Sequence, residues 1–443
     1  MPSPDRPDRP THTRWNILGL LFAASFVAYV LRTNMSVAGE AMAGELGLTK
    51  LQLGTVLAAF AWGYAIFQFP GGVLGDRVGG RSALAAMAVL WAVLNALVGL
   101  VPGSAAASTG VILGALMVLR FLMGAAQAPL FPVTSGGVIS DWFPVSGWAL
   151  PNGLTNAGLT LGAAATGPLI AWLTQHAGWR QSFVLTAPAG LLIAAVWWWY
   201  ARDRPAEHAA VGPRELALID ADRPPRRPEP EGGAWRLVLA DRNVALLSLS
   251  YFCSNYVFYF FFNWLFIYLV EVRGFKAMEG GYLSAAPWIA GAAGAALGGW
   301  ACDALVARVG PRRGYRIPCV TGLVLVAGLI VAAATARNPY AAVGFLSLCL
   351  GLQQMTEGAF WAATIAVSGR HASAGCGLLN TGGNVVGGVG ALLVPATAGA
   401  FGWVAALGTA SAFALVGAAL WAWIRADERL APAPARVAAG LPA

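Results

Sequence analysis

Three ionisable side chains lie deep inside long apolar runs: Arg32 in YVLRTNMSVA, Arg120 in MVLRFLMGAAQ and Glu357 in LQQMTEGAFWAAT. A charge in the middle of a membrane helix costs about 2.5–3.5 kcal/mol, so each marks a functional site by default. Guanidinium groups can grip a carboxylate through two parallel N–H bonds. Two buried arginines against one buried acid therefore point to an anion path. Ser25 and Tyr29 share a helical face with Arg32. Gln127 shares a face with Arg120, roughly 10 Å along the helix, and Gly124 between them removes side-chain bulk. Tyr64 and Gln68 are one turn apart and offer a phenol and an amide to substrate hydroxyls; Asn380 and Asn384 do the same in a Gly-rich stretch. The candidate substrate-binding set is Arg32, Arg120, Tyr64, Gln68, Gln127, Asn380 and Asn384. Asn152 and Asn156 form a related pair beside Pro151, near a helix start. The plainer alternatives are snorkelling or structural ion pairs for the arginines, and bonds between helices for the amides.

Glu357 is the isolated acid. A carboxyl held between apolar surroundings and a nearby arginine can take up and release a proton, which makes it a candidate coupling group. An ion pair with Arg32 or Arg120, or a permanently protonated and locally bonded Glu, are the alternatives.

The elements that must hold these residues are apolar helices. Only 11% of the 443 residues are charged and 58% are apolar, against roughly 25% charged in a soluble domain, so much of the surface faces lipid. Small residues, which let membrane helices approach closely, are abundant, with 55 glycines. A bilayer crossing needs about 20 apolar residues. Twelve stretches qualify: 15–38, 51–74, 82–102, 107–132, 147–174, 182–201, 243–270, 282–305, 316–336, 339–367, 376–400 and 402–424. The fold class is an all-α polytopic membrane protein: a 1–14 tail, a six-helix half 15–201, a Pro-rich charged linker 202–242 with a short amphipathic helix around Glu215–Asp220, a second six-helix half 243–424, and a 425–443 tail.

Arginine distribution orients it. With the N-terminus inside, the inner set is Arg6, Arg9, Arg14, Arg77, Arg81, eight linker arginines, Arg308, Arg312, Arg313, Arg316, Arg370, Arg425, Arg429 and Arg436. The outer set is Lys50, Arg180, Arg273, Lys276 and Arg337. Both tails and the linker are then cytoplasmic, and the net charge of +8 reflects topology rather than nucleic-acid binding. The first apolar run is too long for a signal peptide. The five cysteines are scattered singly, without metal spacing.

Two internal matches share one offset. Gly72 and Asp76 in GGVLGDRVGGR recur as Gly299 and Asp303 in GGWACDALVAR, 227 residues later. Asn152, Asn156 and Gly162 recur as Asn380, Asn384 and Gly390, 228 residues later. Paired repeats that rock about a shared site are how many transporters are built.

The stretch from Gly72 to Arg81 resembles the loop signature GxxxDRxGRR of the major facilitator superfamily, with Gly80 in place of a basic residue. YVLRTNMSVA, FAWGYAIFQFPGGVLGDR and RFLMGAAQAPLFP look like the anion:cation symporters of that superfamily, and the likeness runs over essentially the whole chain. It implies two six-helix halves, transport of a sugar acid or related organic anion, and anion recognition or gating by Arg32 and Arg120. It also implies a cytoplasmic latch of Gly72, Asp76, Arg77, Arg81 and the diverged copy at Asp303, in which Asp76 pairs with arginines across the seam; a tight turn with a snorkelling arginine is the alternative. Proton-coupled members usually carry an Asp before the first-span arginine and a Glu seven residues after the fourth-span one. Here these positions are Leu31 and Gln127, and no histidine falls in a span. The usual proton relay is therefore absent and symport does not follow from the resemblance; proton symport is expected instead with Glu357 as substitute carrier. Uncoupled facilitation, exchange and drug export stay open.

An enzyme would need a nucleophile–base pair or a metal cluster in the spans, and a sensor would normally add a soluble domain; neither is seen. No cofactor, metal, nucleic acid or obligate protein partner is expected. The arginine- and alanine-rich usage suggests a bacterial inner membrane. Hexonates, hexuronates, aldarates and aromatic carboxylates all fit the candidate site; the aromatics of the seventh span (among them Tyr251, Tyr256, Phe258, Tyr259 and Phe262) could line a cavity for a ring, but most are expected against lipid or neighbouring helices.

Overall fold

A computed structural model describes residues 11–222 and 235–430. Arg6, Arg9, Arg223, Arg226, Arg227 and Arg436, and the outer parts of both expected tails, lie outside the described residues. Twelve membrane-spanning helices follow one another, and no strand occurs among the described residues. They are α1 Thr13–Leu46, α2 Lys50–Val78, α3 Gly80–Gly99, α4 Thr109–Gln127, α5 Ala149–Ala177 and α6 Trp179–Tyr200, then α7 Arg242–Asn263, α8 277–309, α9 311–335, α10, α11 Ala372–Phe401 and α12 Trp403–Leu420. Helices α8 and α9 run on without a loop and turn at Gly310, whose φ of 79° ends one and starts the other. Helix α10 is broken at Thr356 into α10a Pro339–Met355 and α10b Glu357–Ser368.

The expected spans match to within about five residues except at three ends. Helix α7 stops at Asn263 rather than residue 270, the chain going on through a short turn, Leu265–Ile267, and a π-helical turn, Tyr268–Val272. Helix α1 continues to Leu46 rather than residue 38, closed by Gly47 in the left-handed region. Helix α4 continues past Pro129 and Pro132 through a π-helical turn, Val133–Ile139, to Trp142. Each proline removes a backbone donor, and the wider turn carries the chain on without ending the helix.

Helices α2 and α5 of the first half pack against α11 and α8 of the second, the pairing that the repeat offset implies. Glycine permits the approach: a Cβ at Gly72 would meet the Ser373 carbonyl, and one at Gly299 would meet the Ala149 carbonyl. The short linker helix, Pro213–Asp220, forms as expected. Its Glu215 caps α1, accepting from Thr13 N and Arg14 N at 3.0 Å each and from the Thr11 hydroxyl at 2.7 Å. The start of α1 and the described part of the linker thus share one face, and the segment after α12 meets the α8–α9 turn, where Asp427 lies 4.0 Å from Arg312.

The apolar core is divided unequally. On the linker face one cluster joins both halves, with Trp142 and Trp148 from the first and Tyr315, Phe360 and Trp421 from the second. Toward the opposite face the halves keep separate cores, one around Met35, Leu116 and Phe183, the other around Phe260, Leu346 and Leu407. The two halves are sealed together on the linker side and packed independently on the other.

Candidate functional site

A narrow, partly open cavity lies between the halves. From the first half Arg32 reaches it out of α1. Its guanidinium carbon lies 4.4 Å from the Tyr64 ring centre, 4.9 Å from Phe60 and 5.0 Å from Tyr29, and Nη1 donates to the Tyr29 hydroxyl at 3.1 Å. Electron-rich ring faces hold the cation in place without supplying a counter-charge, so the donors not bonded to Tyr29 remain available to a ligand.

Tyr64 and Asn380 meet at the seam, with the Asn380 amide donating to the Tyr64 hydroxyl at 3.5 Å. Asn384 donates to the Asn380 side-chain oxygen at 2.9 Å and accepts from the Tyr259 hydroxyl at 2.8 Å. Glu357 starts α10b and is only 4% exposed. Its Oε2 accepts from the Tyr251 hydroxyl at 2.9 Å and from the Trp361 indole at 3.3 Å, and its Oε1 from the Gln353 amide at 3.2 Å. The expected alternative of an ion pair with Arg32 or Arg120 does not form; neutral donors surround this carboxyl instead. Arg32, Tyr64, Asn380, Asn384 and Glu357 all line the one cavity.

Three members of the expected set lie elsewhere. Arg120 is 4% exposed and outside the lining. Its Nη2 donates to the Arg32 carbonyl at 3.1 Å, and it lies 4.7 Å from the Phe60 ring centre. Gln127 donates to the Ala28 carbonyl at 2.9 Å. These two carbonyls are one turn apart on α1, so α4 braces α1 from behind. Gln68 is fully buried beside α11 and also outside the lining. Gly124 does not open space for a ligand either: a Cβ there would strike the Phe60 carbonyl, because α2 occupies that face. Leu31, at the position of the missing acid, is fully buried in the shared core.

The linker face is held by a matched pair of carboxylates. Asp76, at the end of α2, accepts from Ser373 N and Ala374 N at 3.0 Å each, across the seam at the start of α11. Asp303, at the end of α8, accepts from Ala149 N and Leu150 N at 2.8 Å each, at the start of α5. The expected arginine partners of Asp76 are replaced by unsatisfied N–H groups at a helix N-terminus, where the backbone dipole also favours negative charge. Arg77 is exposed. Arg81 stays within its own half, donating to the Trp198 carbonyl at 2.7 Å while its backbone N–H bonds Asp203 at 2.8 Å.

The sequence alone leaves the α7 aromatics open between cavity and packing. Tyr251, Asn255, Phe258, Tyr259 and Phe262 line the cavity, while the other aromatics of the span lie outside the lining, against lipid or neighbouring helices as expected for most of them. Their spacing of three to four residues traces one helical stripe, a signal present in the sequence. Gln354 and Trp361 beside Glu357, and Asn156 from α5, complete the wall.

Residues 21–352 match the model of the Major Facilitator Superfamily. The chain belongs to that superfamily. It is 33% identical over 334 residues to the probable galactarate/D-glucarate transporter GudP of Bacillus subtilis, covering 73% of this chain and 72% of the relative. It is 31% identical over 382 residues to the probable sulfoacetate transporter SauU of Cupriavidus necator, covering 85% of each. With the D-galactonate transporter of Escherichia coli it shares 29% over 427 residues, 93% of this chain and 95% of that one. Among solved structures, the Major Facilitator Superfamily transporter FucP in the outward conformation superposes with a TM-score of 0.68 at 16% identity, over 94% of this chain and all of that one. The proton:xylose symporter XylE gives 0.72 at 14%, over 93% and 96%. The fold is therefore the superfamily's, a multi-pass membrane bundle of two six-helix halves, and its members in these comparisons are transporters rather than enzymes.

Proposed function

We propose that the chain is a secondary transporter of a small organic anion, a sugar acid or related carboxylate, which binds at Arg32 in the cavity between the halves. The observation that carries this reading is the Arg32 guanidinium, held by Tyr29, Phe60 and Tyr64 in a cavity otherwise rich in phenol and amide groups. The relatives, named as a probable galactarate/D-glucarate transporter, a probable sulfoacetate transporter and a D-galactonate transporter, support the substrate class. Halves 15–201 and 243–424 rock about this site, with 202–242 as the linker. The arginine asymmetry puts the linker face and both termini in the cytoplasm, and the bacterial relatives support an inner membrane. The conformation is then closed inward and poised to load from outside, with Asp76 and Asp303 as the latch.

The coupling ion is H+, carried by Glu357, the carboxyl of the cavity wall; Leu31 and Gln127 have no proton to give. Uptake of labelled sugar acids and aromatic acids into proteoliposomes, with and without an inward proton gradient, tests both parts. Gradient-driven accumulation is expected in the wild type. In Glu357→Gln, net accumulation stops while exchange of internal for external anion persists. Equilibration indifferent to the gradient replaces symport with facilitation or exchange, a reading that Leu31 and Gln127 favour. If folded protein takes up no anion, the assignment falls and drug export takes its place.

A further inference from the structure

We propose that the cavity is electrically polar across the seam, and that Glu357 makes it selective for substrates with a single carboxylate. This narrows the organic-anion reading above and rests on it.

The polarity follows from which half supplies which charge. Among the described lining residues Arg32 and Glu357 are the charged ones. Arg32 belongs to α1 of the first half, and the second buried guanidinium, Arg120, lies directly behind it on the same side, bonded to its carbonyl. Both cations act on one wall. Glu357 belongs to α10b of the second half, with Tyr251, Asn255, Asn380 and Asn384 around it on that wall. A carboxylate drawn to Arg32 directs the rest of the substrate toward the acid.

A neutral tail suits that wall. Hydroxyls donate as well as accept, so a polyol chain or a phenol can donate to Glu357 and accept from the asparagine amides. An ionised carboxylate only accepts. At Glu357 it meets a group whose two oxygens already hold the hydroxyl of Tyr251 and the N–H groups of Trp361 and Gln353, so the donors nearest the acid are engaged. Like charges placed face to face in a site are strongly disfavoured and serve to exclude the wrong ligand. Protonation of Glu357 removes the repulsion but adds no cation: the one guanidinium in the lining still grips one carboxylate. Relatives named for dicarboxylates and for a monocarboxylate both occur, so kinship does not decide the matter and the lining does.

The test uses acids that differ in one group. D-Gluconate and D-glucarate share a six-carbon chain and differ in a terminal hydroxymethyl or carboxylate; 4-hydroxybenzoate and terephthalate are the ring equivalents. Competition in counterflow, with no proton gradient, and stabilisation of the purified protein against heat give two independent affinities. At least a tenfold preference for the monoacid is expected in one or both pairs. In Glu357→Gln the ratio narrows at least fivefold, and in Glu357→Asp it is kept. The ratio is read within each variant, so a lower overall rate leaves it intact, and the heat assay shows that each variant is folded. Equal or tighter wild-type binding of the diacid overturns the proposal, as does an unchanged ratio in Glu357→Gln. Failure of all four acids to bind folded protein sinks the organic-anion reading itself, and this inference with it.

Discussion

Replacing Asp76 by Asn should loosen the linker-face seal without unfolding either half. Asp76 contributes two charge-assisted bonds, to Ser373 N and Ala374 N at 3.0 Å. A hydrogen bond to a charged group is worth about 1.5–3 kcal/mol net. Asparagine keeps one neutral acceptor and loses the charge that the helix N-terminus favours, so the loss is about 2 kcal/mol. At about 1.4 kcal/mol per tenfold, the share of molecules open on that face rises roughly 30-fold. Asp303→Asn removes the matching cap on Ala149 N and Leu150 N and should act by the same factor. If the two caps are independent their effects add in free energy, to about 4 kcal/mol and several hundredfold in the double variant. A native probe is in place. Cys376, near the start of α11, is fully buried in the core shared by both halves, whereas Cys349 is fully buried in the core of the second half alone. Alkylation by a small membrane-permeant reagent, followed by peptide mass spectrometry, reports opening at each thiol. Where opening and closing are fast, the rate follows the open population. Cys376 should speed up by these factors and Cys349 should not change. If Cys376 reacts at the wild-type rate in the double variant, the two carboxylates are not the latch. If both thiols speed up together, the variant is unfolding rather than opening.

Three further outcomes are expected. Arg32→Lys should raise the KM for uptake at least tenfold with the protein still folded, because a lysine can neither grip a carboxylate bidentately nor stack as a plane among Tyr29, Phe60 and Tyr64; substrate titration of initial rates checks it. Gly124→Val should lower the melting temperature of the solubilised protein, since its side chain would drive into the Phe60 carbonyl at an overpacking cost of about 1–3 kcal/mol. Docking of the linker helix should fail in acid. Burial of Glu215 opposes its charge, but the bonds from Arg14 N, Thr11 and Thr13 N outweigh it and hold the carboxyl below its ordinary value. A group depressed in the folded state stabilises above its unfolded pKa and loses that contribution as pH falls through the folded one. Hydrogen exchange over Pro213–Asp220 should therefore be slow near neutrality and rise as pH drops through the carboxylate range; a pH-independent protection factor would contradict it.

Most of the architecture was legible because a membrane span is a one-dimensional signal: length and apolarity suffice. The repeat was legible because Asp76 and Asp303 do the same job in related places, and the same offset links α2–α11 to α5–α8. The departures from the expected placement share a cause. Arg120, Gln68 and Gln127 were chosen for polar atoms at the right spacing, but spacing says which face of a helix a residue occupies, not what covers that face. For Arg120 and Gln127 the cover is α1, whose carbonyls accept their bonds. The latch was expected to pair charge with charge; the actual partners are backbone N–H groups, identical in every residue but proline and thus invisible in a sequence. The aromatic stripe of α7 stayed undecided for the opposite reason, since phenylalanine and tyrosine fit a lipid face, a core and a cavity equally well.

The positions of Leu31 and Gln127 acquire a structural meaning from this. With Leu31 in the core and Gln127 bonded to α1, neither position puts a carboxyl behind Arg32. The acid that lines the cavity stands on the other half and begins α10b. That helix is buried along its whole length. Its Trp361 donates to Glu357 and lies 5.7 Å, ring centre to ring centre, from Phe131 of the opposite half. A Cβ at Gly358, the next residue, would meet the Ala149 carbonyl at the α5 start that Asp303 caps. A change of charge at Glu357 is thus one residue from one seam contact and one side chain from another. Packed interfaces of this kind switch between discrete arrangements rather than deforming smoothly. If Glu357 carries the proton as proposed, its charge state bears on both seam contacts, and variants that uncouple proton from substrate should map to α10b.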